Sequence, residues 1–259
     1  MKLTVLGSGS CVVEQNSRAS SGYILEAGST TVMVDTGTGS TKNIPESVYS
    51  TADLDAVVNT HRHPDHVSDL LPVIQDKVVR SFSSEESDIV LYGPEGHEEY
   101  LKDRMRHEMV ESPDSVEKNF GFSFEIKEID SREKISQNLA LEPIEALHGP
   151  ESFECLSLKF ISEGKEIVFT GDTDYNPELE EFAEGADILV ADCSRPGSQE
   201  IEGHMNAEEC GRLAEKARVG KLVLSHLYPE TEGEHLKSQA GSFFGGEVVV
   251  AEDLMVIEY

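Results

Sequence analysis

The feature that most constrains this chain is a stretch in which three histidines and one aspartate stand within six residues, Thr60-His61-Arg62-His63-Pro64-Asp65-His66. It follows a β-rich apolar run at 56–59 and precedes an apolar-periodic helical pattern, so it lies on the loop between a strand and a helix. Packing alone does not explain it, because each buried ring nitrogen needs its own hydrogen-bond partner. Residues two apart in an extended loop face the same way, so His61 and His63 can bind one metal ion. The turn into the helix directs Asp65 and His66 toward a second ion, and imidazole with carboxylate suits Zn²⁺ and other first-row ions better than Ca²⁺ or Mg²⁺.

Two metal ions need more ligands than this stretch supplies. Single metal-competent side chains follow three later strand-like runs: His148 after 141–147, Asp172 after 167–170 and His226 after 222–225. Polar binding groups collect at such strand ends. We therefore expect these three side chains to complete the metal centre that the first stretch begins.

Strand-like apolar runs alternate with helical patterns along the chain, which favours a layered α/β architecture in one domain spanning 1–259. Strands are predicted at 3–6, 23–26, 31–35, 56–59, 89–92, 122–126, 141–146, 156–161, 166–170, 188–191, 221–225, 247–251 and 254–258. Helices are predicted at 65–79, 94–109, 177–185, 207–217 and 234–244. Gly7-Ser8-Gly9-Ser10 is expected to form a tight turn, because the third glycine of the dinucleotide-binding fingerprint is missing.

Composition excludes several classes of function. With 38% hydrophobic residues the 259-residue chain can bury a sizeable core, and it has no run of 18 apolar residues that could cross a membrane. The first apolar run is too short for a signal peptide and the four cysteines are widely spaced, so we expect a cytoplasmic protein with buried thiols. The 50 acidic side chains against 21 basic ones give a net charge of -29, which argues against broad affinity for nucleic acid.

The motifs together resemble the metallo-β-lactamase superfamily. The resemblance rests on the His-x-His-x-Asp-His pattern at 61–66, followed by His148, Gly171-Asp172-Thr173 and Ser225-His226. Within the superfamily the chain is similar to the ribonuclease Z-like branch in Gly203-His204-Met205-Asn206-Ala207, in Leu6-Gly7-Ser8-Gly9 and in 16–21. The matching motifs run from Gly7 to Asp253-Leu254-Met255, which is nearly the whole chain.

The resemblance implies a four-layer αββα sandwich with a di-metal centre at one edge of its two sheets. It implies that the first ion is held by His61, His63 and His148, and the second by Asp65, His66 and His226. Asp172 would bridge the two ions, Asp35 would orient a ligand, and Asp65 would also count among the catalytic residues. Zinc is the expected metal, with Mn²⁺ or Fe as the other candidates. A water between two close ions has its pKa lowered toward neutrality, and the hydroxide it forms becomes the nucleophile, while the ions neutralise charge that builds on a phosphoryl or carbonyl oxygen.

The resemblance also implies a catalytic role for His204, which is not needed as a ligand. In the ribonuclease Z-like branch the matching histidine acts on the phosphodiester, assisted by an acidic residue of the preceding segment. Asp192 occupies that place here, where tRNA-processing enzymes usually carry Glu. An Asp192–His204 pair would favour the protonated imidazole, which could stabilise the transition state or protonate a leaving oxygen. A helix-capping or surface His204 is the alternative, and the remaining histidines His97, His107 and His235 are expected to be solvated.

Four classes of function stay open. The tRNA-processing members insert a long basic arm between the third and fourth metal motifs, but only 23 residues separate His148 from Asp172 here. With the acidic charge, this favours a phosphodiesterase for small-molecule or short nucleotide phosphodiesters over a ribonuclease Z-like RNA or tRNA 3′ endonuclease that lacks the arm. A thioester, lactone or β-lactam hydrolase would use the same metals without His204. A non-catalytic binding protein is disfavoured because the set of metal ligands is complete. Members of the branch commonly form homodimers, and only the resemblance suggests a homodimer for this chain.

Overall fold

The computed structural model describes residues 1–12, 14, 18–82, 88–109, 115, 118, 122–150, 154–197, 199–231 and 235–258. Part of the 16–21 motif and the first residue of the predicted helix 234–244 lie outside the described residues. Among the described residues, fourteen strands form two seven-stranded sheets. The strands are β1 (Lys2–Gly7), β2 (Gly22–Ala27), β3 (Thr30–Thr36), β4 (Ala56–Val58), β5 (Ile89–Gly93), β6 (Phe124–Glu128), β7 (Glu133–Lys134), β8 (Ala140–Glu145), β9 (Leu156–Ser162), β10 (Lys165–Phe169), β11 (Ile188–Asp192), β12 (Lys221–Ser225), β13 (Glu247–Val250) and β14 (Val256–Glu258).

The two sheets repeat one pattern of strand pairing. The first has the order β14-β1-β2-β3-β4-β5-β6 and the second the order β13-β12-β11-β10-β9-β8-β7. In the first sheet the pairs from β14 to β3 are antiparallel and those from β3 to β6 are parallel. In the second sheet the pairs from β7 to β10 are antiparallel and those from β10 to β13 are parallel. Each sheet therefore has a parallel half, whose strands end at the same edge.

Helices cover the outer face of each sheet. They are α1 (Ser40–Asn43), α2 (Pro64–Val67), α3 (Leu70–Ser81), α4 (His97–Arg104), α5 (Pro177–Phe182), α6 (Ala207–Lys216) and α7 (Leu236–Gly241), with 3-10 turns at Thr51–Asp53 and Pro229–Thr231 and a π-helical turn at Met105–Met109. The apolar faces of α3 and α4 pack on the first sheet, and those of α5, α6 and α7 pack on the second.

Successive side chains of a strand point to opposite faces of its sheet and so belong to different layers of the core. Val5 of β1 lies in the core between the sheets, whereas its neighbour Leu6 lies in the core under α3 and α4. Val190 and Leu189 of β11 divide in the same way between the central core and the core under α6. This period of two is what a sheet buried on both faces requires. The architecture is the αββα sandwich that the resemblance implies.

The helix predicted at 65–79 is wrong in one respect, because the structure divides it into α2 and α3. Asp69, between them, has a non-helical backbone, and its carboxylate accepts hydrogen bonds from the backbone N–H groups of Gly39 and Thr41. Those contacts come from a segment 30 residues away, which periodicity cannot reveal. The helix α1, the 3-10 turns and the two-residue strand β7 were not predicted at all, since each is too short to carry a periodic pattern.

Two expectations about individual side chains are also wrong. His97 is fully buried rather than solvated, and among the described residues its ring nitrogens have no hydrogen-bond partner. The ring occupies space beside Gly93, where a Cβ would lie only 2.3 Å from it. Cys11 is exposed, whereas the other three cysteines are buried as expected. None of the helices that the structure describes is long and apolar enough to cross a membrane.

Candidate metal centre

The polar residues singled out in the sequence meet where parallel strands of both sheets end. Asp35 lies at the end of β3, the 61–66 stretch follows β4, and Asp192 ends β11. Asp172 follows β10 and His226 follows β12, while His148 comes from the loop after β8. The structure thus brings together every residue that the sequence predicted for the site, listed here in chain order: His61, His63, Asp65, His66, His148, Asp172, Asp192, His204 and His226.

One group of donors consists of His61, His63, His148 and Asp172. His63 Nδ1 lies 3.2 Å from His61 Nε2 and 3.0 Å from His148 Nε2. Asp172 Oδ2 lies 3.7 Å from His61 Nε2 and 3.9 Å from His148 Nε2. Three ring nitrogens and one carboxylate oxygen therefore point at a common centre.

A second group consists of Asp65, His66, Asp172 and His226. His66 Nε2 lies 3.3 Å from Asp172 Oδ1, and His226 Nε2 lies 3.3 Å from Asp65 Oδ2 and 3.5 Å from Asp172 Oδ2. Asp172 belongs to both groups. It offers Oδ2 to the first group, and Oδ1 faces His66 of the second.

The donor set fits a pair of first-row metal ions. Ligands about 2.0–2.1 Å from a tetrahedral zinc ion stand about 3.3 Å apart, and the histidine nitrogens of the first group are spaced at close to that distance. His66 Nε2 is buried, and among the described residues it has no well-formed hydrogen bond. Its nearest acceptor is Asp172 Oδ1, and a buried ring nitrogen without a well-formed hydrogen bond is costly unless a ligand satisfies it. Nitrogen and carboxylate donors in these numbers match zinc and its first-row neighbours.

The other ring nitrogens of four histidines are held by partners behind the centre. Asp35 Oδ2 is 2.8 Å from His66 Nδ1, and the Thr60 hydroxyl is 3.0 Å from His61 Nδ1. The remaining two contacts are from His148 Nδ1 to the Gly203 carbonyl (2.8 Å) and from His226 Nδ1 to the Ser194 hydroxyl (3.0 Å). Such contacts fix the tautomer and the orientation of a ligating imidazole. Sequence reasoning missed Thr60 and Ser194, although each stands at the end of a strand beside a predicted site residue.

Two residues of the site have left-handed backbones. Asp35 has φ 55° and His226 also has φ 55°. Residues other than glycine rarely adopt this conformation, and the strain is tolerated where the surroundings fix it. At Asp35 those surroundings include the N–H of Thr60, which donates to Oδ1 at 2.8 Å. The backbone is therefore strained at the two places where it directs Asp35 and His226 into the site.

The ionisable groups of the site shift one another's pKa values in opposite directions. Burial, together with the nearby His66, holds the pKa of His61 well below its usual value. Burial also lowers the pKa of His66, but the carboxylates of Asp172 and Asp35 outweigh it and raise the pKa to about 10. For Asp172, burial raises the pKa, and the opposing attraction of His226 and His66 leaves it well below the usual value. Asp172 is therefore held as a carboxylate whose charge is balanced by neighbouring imidazoles, and a bound cation would take over that balancing role.

His204 is paired with Asp192, and these two residues form a third group of potential ligands with Asp172 and His226, beside the two described above. The Nδ1 atom of His204 is 2.8 Å from Asp192 Oδ2, and its ring stacks on that of His226 with centroids 5.3 Å apart and planes at 10°. Burial lowers the pKa of His204, but the hydrogen bond with Asp192 and the charge of that carboxylate raise it above its usual value overall. Asp192 also faces Ser194 and His226 through Oδ1, so it is engaged as an orienting group.

Comparison with known proteins agrees with this geometry. The sequence model of the β-lactamase superfamily domain matches residues 30–227. The probable metallo-hydrolase YhfI of Bacillus subtilis is 28% identical over the full length of both chains. The crystal structure of YhfI superimposes on this chain with a TM-score of 0.83 and 26% identity, covering 100% of this chain and 99% of the other. A ribonuclease Z of Mycobacterium bovis is 25% identical over 100% of this chain and 98% of its own. The short form of human tRNase Z, at 18% identity and a TM-score of 0.75 over 100% of this chain and 99% of its own, shares the fold.

Proposed function

Because this chain belongs to the β-lactamase superfamily and is a metallo-hydrolase of it, we propose that it is a di-zinc phosphodiesterase acting on small or short nucleotide phosphodiesters. The observation that carries the proposal is the Asp192–His204 pair at 2.8 Å beside the donor groups. A thioester hydrolase does not need this pair, because a thiolate leaves without a proton, whereas the alkoxide oxygen that leaves a phosphodiester is helped by a proton donor.

The proposed ligand assignment follows the two donor groups. His61, His63 and His148 would hold one ion, Asp65, His66 and His226 the other, and Asp172 both. When bound, two divalent ions supply an activated water at neutral pH and neutralise charge on a phosphoryl oxygen. Mn²⁺ or Fe could serve with the same donors.

The chain's own residues then position the substrate and handle the proton. Asp192 accepts the hydrogen bond of His204 Nδ1–H, which fixes the ring and leaves Nε2 for the substrate. From Nε2 the imidazole would donate a hydrogen bond to a phosphoryl oxygen or a proton to the leaving oxygen. Asp35 and Ser194 would keep His66 and His226 in place while this happens.

Acidic side chains around His204 support a small substrate. A cavity of about 250 Å³ next to His204 is lined by four acidic residues, Asp174, Glu200, Glu202 and Glu209. A long polyanion passing this cavity would be repelled. The turn Glu163–Gly164 joins β9 directly to β10, so the described residues 156–169 leave no room there for an inserted arm.

An RNA endonuclease is the second candidate. Its support is that relatives named ribonuclease Z align with this chain along nearly its whole length. Both candidates use the Asp192–His204 pair, and they differ in the size and charge of the substrate.

Turnover of bis(p-nitrophenyl) phosphate by zinc-loaded protein tests the proposal. Chelated protein and Asp65→Ala are the negative controls, and a thioester, nitrocefin and labelled RNA are assayed in parallel at low and high salt. We expect phosphodiester turnover that both controls abolish, with little RNA cleavage. Preferred cleavage of RNA would favour the second candidate, and turnover of the thioester or nitrocefin alone would refute both.

Homodimerisation stays a prediction, which light scattering of the purified protein would test.

A further inference from the structure

Building on the proposed function, we propose that Arg195, held on the ring of Tyr228, binds the anionic phosphodiester and makes the site select substrates by their charge. Neither residue belongs to the donor groups or to the Asp192–His204 pair. Together they form an arginine–tyrosine shelf beside the metal centre. The substrate class that the shelf fits is a small phosphodiester with one negative charge and an aromatic substituent.

Tyr228 places the shelf next to the reacting groups. It follows His226 by two residues, and its ring centroid lies 5.8 Å from that of His226 and 6.1 Å from that of His204. Both histidine rings meet the tyrosine ring at 74°, in edge-to-face arrangements. The tyrosine is half-buried, so part of its surface is available to a substrate. A phosphodiester at His204 therefore lies beside the ring of Tyr228.

Arg195 covers the ring of Tyr228. Its guanidinium carbon is 4.7 Å from the ring centroid, and its side chain is only 20% exposed. The backbone of Arg195 is fixed by a bridge to Asn206 and by the N–H of Ala207, which donates to the Arg195 carbonyl at 3.0 Å. Arg195 therefore lies three residues after Asp192, and its backbone is bonded to the segment that follows His204.

Among the described residues, the charge of Arg195 is only lightly compensated. Its partner Glu230 is 3.4 Å away and its side chain is 63% exposed. Because the Glu230 carboxylate is largely hydrated, it gives up little when it separates from Arg195, and a substrate phosphate can replace it at little cost. A guanidinium binds a phosphate through two parallel hydrogen bonds, which makes arginine well suited to this role.

The surrounding carboxylates limit how much negative charge the shelf accepts. The acidic cavity at His204 repels any further anionic group, while Arg195 attracts the first one. The part of the Tyr228 ring that stays exposed adds favourable contact with a planar substituent. The arrangement therefore selects single phosphodiesters over polyanionic RNA.

Calorimetric binding of diphenyl phosphate to the zinc-loaded protein tests the inference independently of turnover. The variants are Arg195→Ala, Arg195→Gln and Tyr228→Leu. Arg212→Ala is the matched control, since Arg212 also stacks on an aromatic ring, Phe243 at 4.6 Å, and also has a carboxylate at 3.4 Å, that of Glu208. Thermal melting shows which variants are folded, and Arg195→Gln decides the question if Arg195→Ala does not fold.

We expect both Arg195 variants to raise the Kd for diphenyl phosphate about 10-fold or more, the scale of a hydrogen bond to a charged group. Arg212→Ala should bind as the wild type does, and the loss in Arg195→Gln should appear in KM rather than kcat for bis(p-nitrophenyl) phosphate. Unchanged binding in the folded Arg195 variants overturns the inference, and so does a wild type that binds no diphenyl phosphate. Binding that depends on Arg195, without turnover of any phosphodiester, would instead refute the proposed function alone.

Discussion

At the scale of single residues, His204 is the side chain on which the proposed phosphodiester chemistry depends. It is held by Asp192 at 2.8 Å and stacks on His226, but the two proposed ion sites are complete without it. Its assigned role therefore predicts an effect on turnover and none on metal content.

His204→Ala should keep its zinc and lose about 10²-fold or more in kcat for a short nucleotide phosphodiester, because its poor leaving oxygen needs the proton of a general acid. Elemental analysis and steady-state kinetics measure the two quantities. His107→Ala is the control, because His107 is an exposed histidine on the surface. Loss of metal, or turnover equal to that of the wild type, would contradict the role given to His204.

How well residues can be predicted from sequence depends on what fixes them. The 61–66 stretch predicts its own ligands because residue type and spacing both carry the metal chemistry. The prediction for His97 is wrong because its neighbours along the chain, Glu95, Glu98 and Glu99, are charged, whereas its ring is buried beside Gly93. Thr60 and Ser194 act through the histidines they contact, and such contacts are visible only after folding.

His97 gives a pH-dependent stability prediction. Burial, with the nearby charge of Arg62, lowers the pKa of His97 to about 4, whereas an unfolded histidine titrates near 6.5. Below pH 6.5 the unfolded chain gains a proton that the folded chain does not, so stability is lost as the pH falls from about 6.5 to 4. Relative to His97→Leu, the wild type should lose up to about 3 kcal/mol of unfolding free energy over that range.

Urea unfolding of the wild type and His97→Leu at several pH values measures this difference. His235→Leu, which alters an exposed histidine, serves as the control. Parallel pH curves for the wild type and His97→Leu would show that His97 does not titrate in this way.

At the scale of elements, the sequence predicts long segments with a regular apolar period. It does not predict short elements or breaks that depend on contacts with distant residues. The apolar stripe of α6 carries its own signal, and the helix was predicted within one residue of its observed bounds. The break between α2 and α3 depends on Asp69 binding a distant segment, and no local pattern encodes that contact. The parallel strands are predictable because they are apolar on both faces, and the polar residues that follow them predict where the site lies.

The N-terminus of α6 is fixed by a capping box that lies two residues after His204. Asn206 accepts a hydrogen bond from the N–H of Glu209 at 3.0 Å, and Glu209 accepts one from the N–H of Asn206 at 3.0 Å. Asn206→Ala should destabilise the protein by about 1 kcal/mol, the usual cost of losing such a cap. Asn138→Ala, at an exposed turn, is the control, and equal unfolding midpoints for the two variants would contradict the importance of the cap.

At the scale of the whole molecule, the proposed centre joins the two sheets. His61, His63, Asp65 and His66 come from the first sheet, whereas His148, Asp172 and His226 come from the second. A bound ion therefore crosslinks the two halves of the sandwich, and binding free energy becomes folding free energy. The paired sheets follow from alternating apolar strands, but the sequence alone did not show which strands would face each other.

Removing the metal should lower the thermal stability of the protein. A ligand present at about 1,000 times its Kd stabilises the folded state by about 4 kcal/mol, which corresponds to a Tm shift of about 10 °C for a chain of this size. Calorimetry of zinc-loaded and chelated protein at one ionic strength measures the shift. An unchanged Tm would mean that no ion joins the sheets.

The number of zinc ions bound per chain tests the central claim most directly. Elemental analysis of the wild type should give close to two ions, because both donor groups are complete and share Asp172. Asp172→Ala should bind markedly less zinc, and Asp130→Ala, which alters an exposed aspartate, should bind as much as the wild type. A wild type that binds no metal, or an Asp172→Ala variant that retains two ions, would contradict the account.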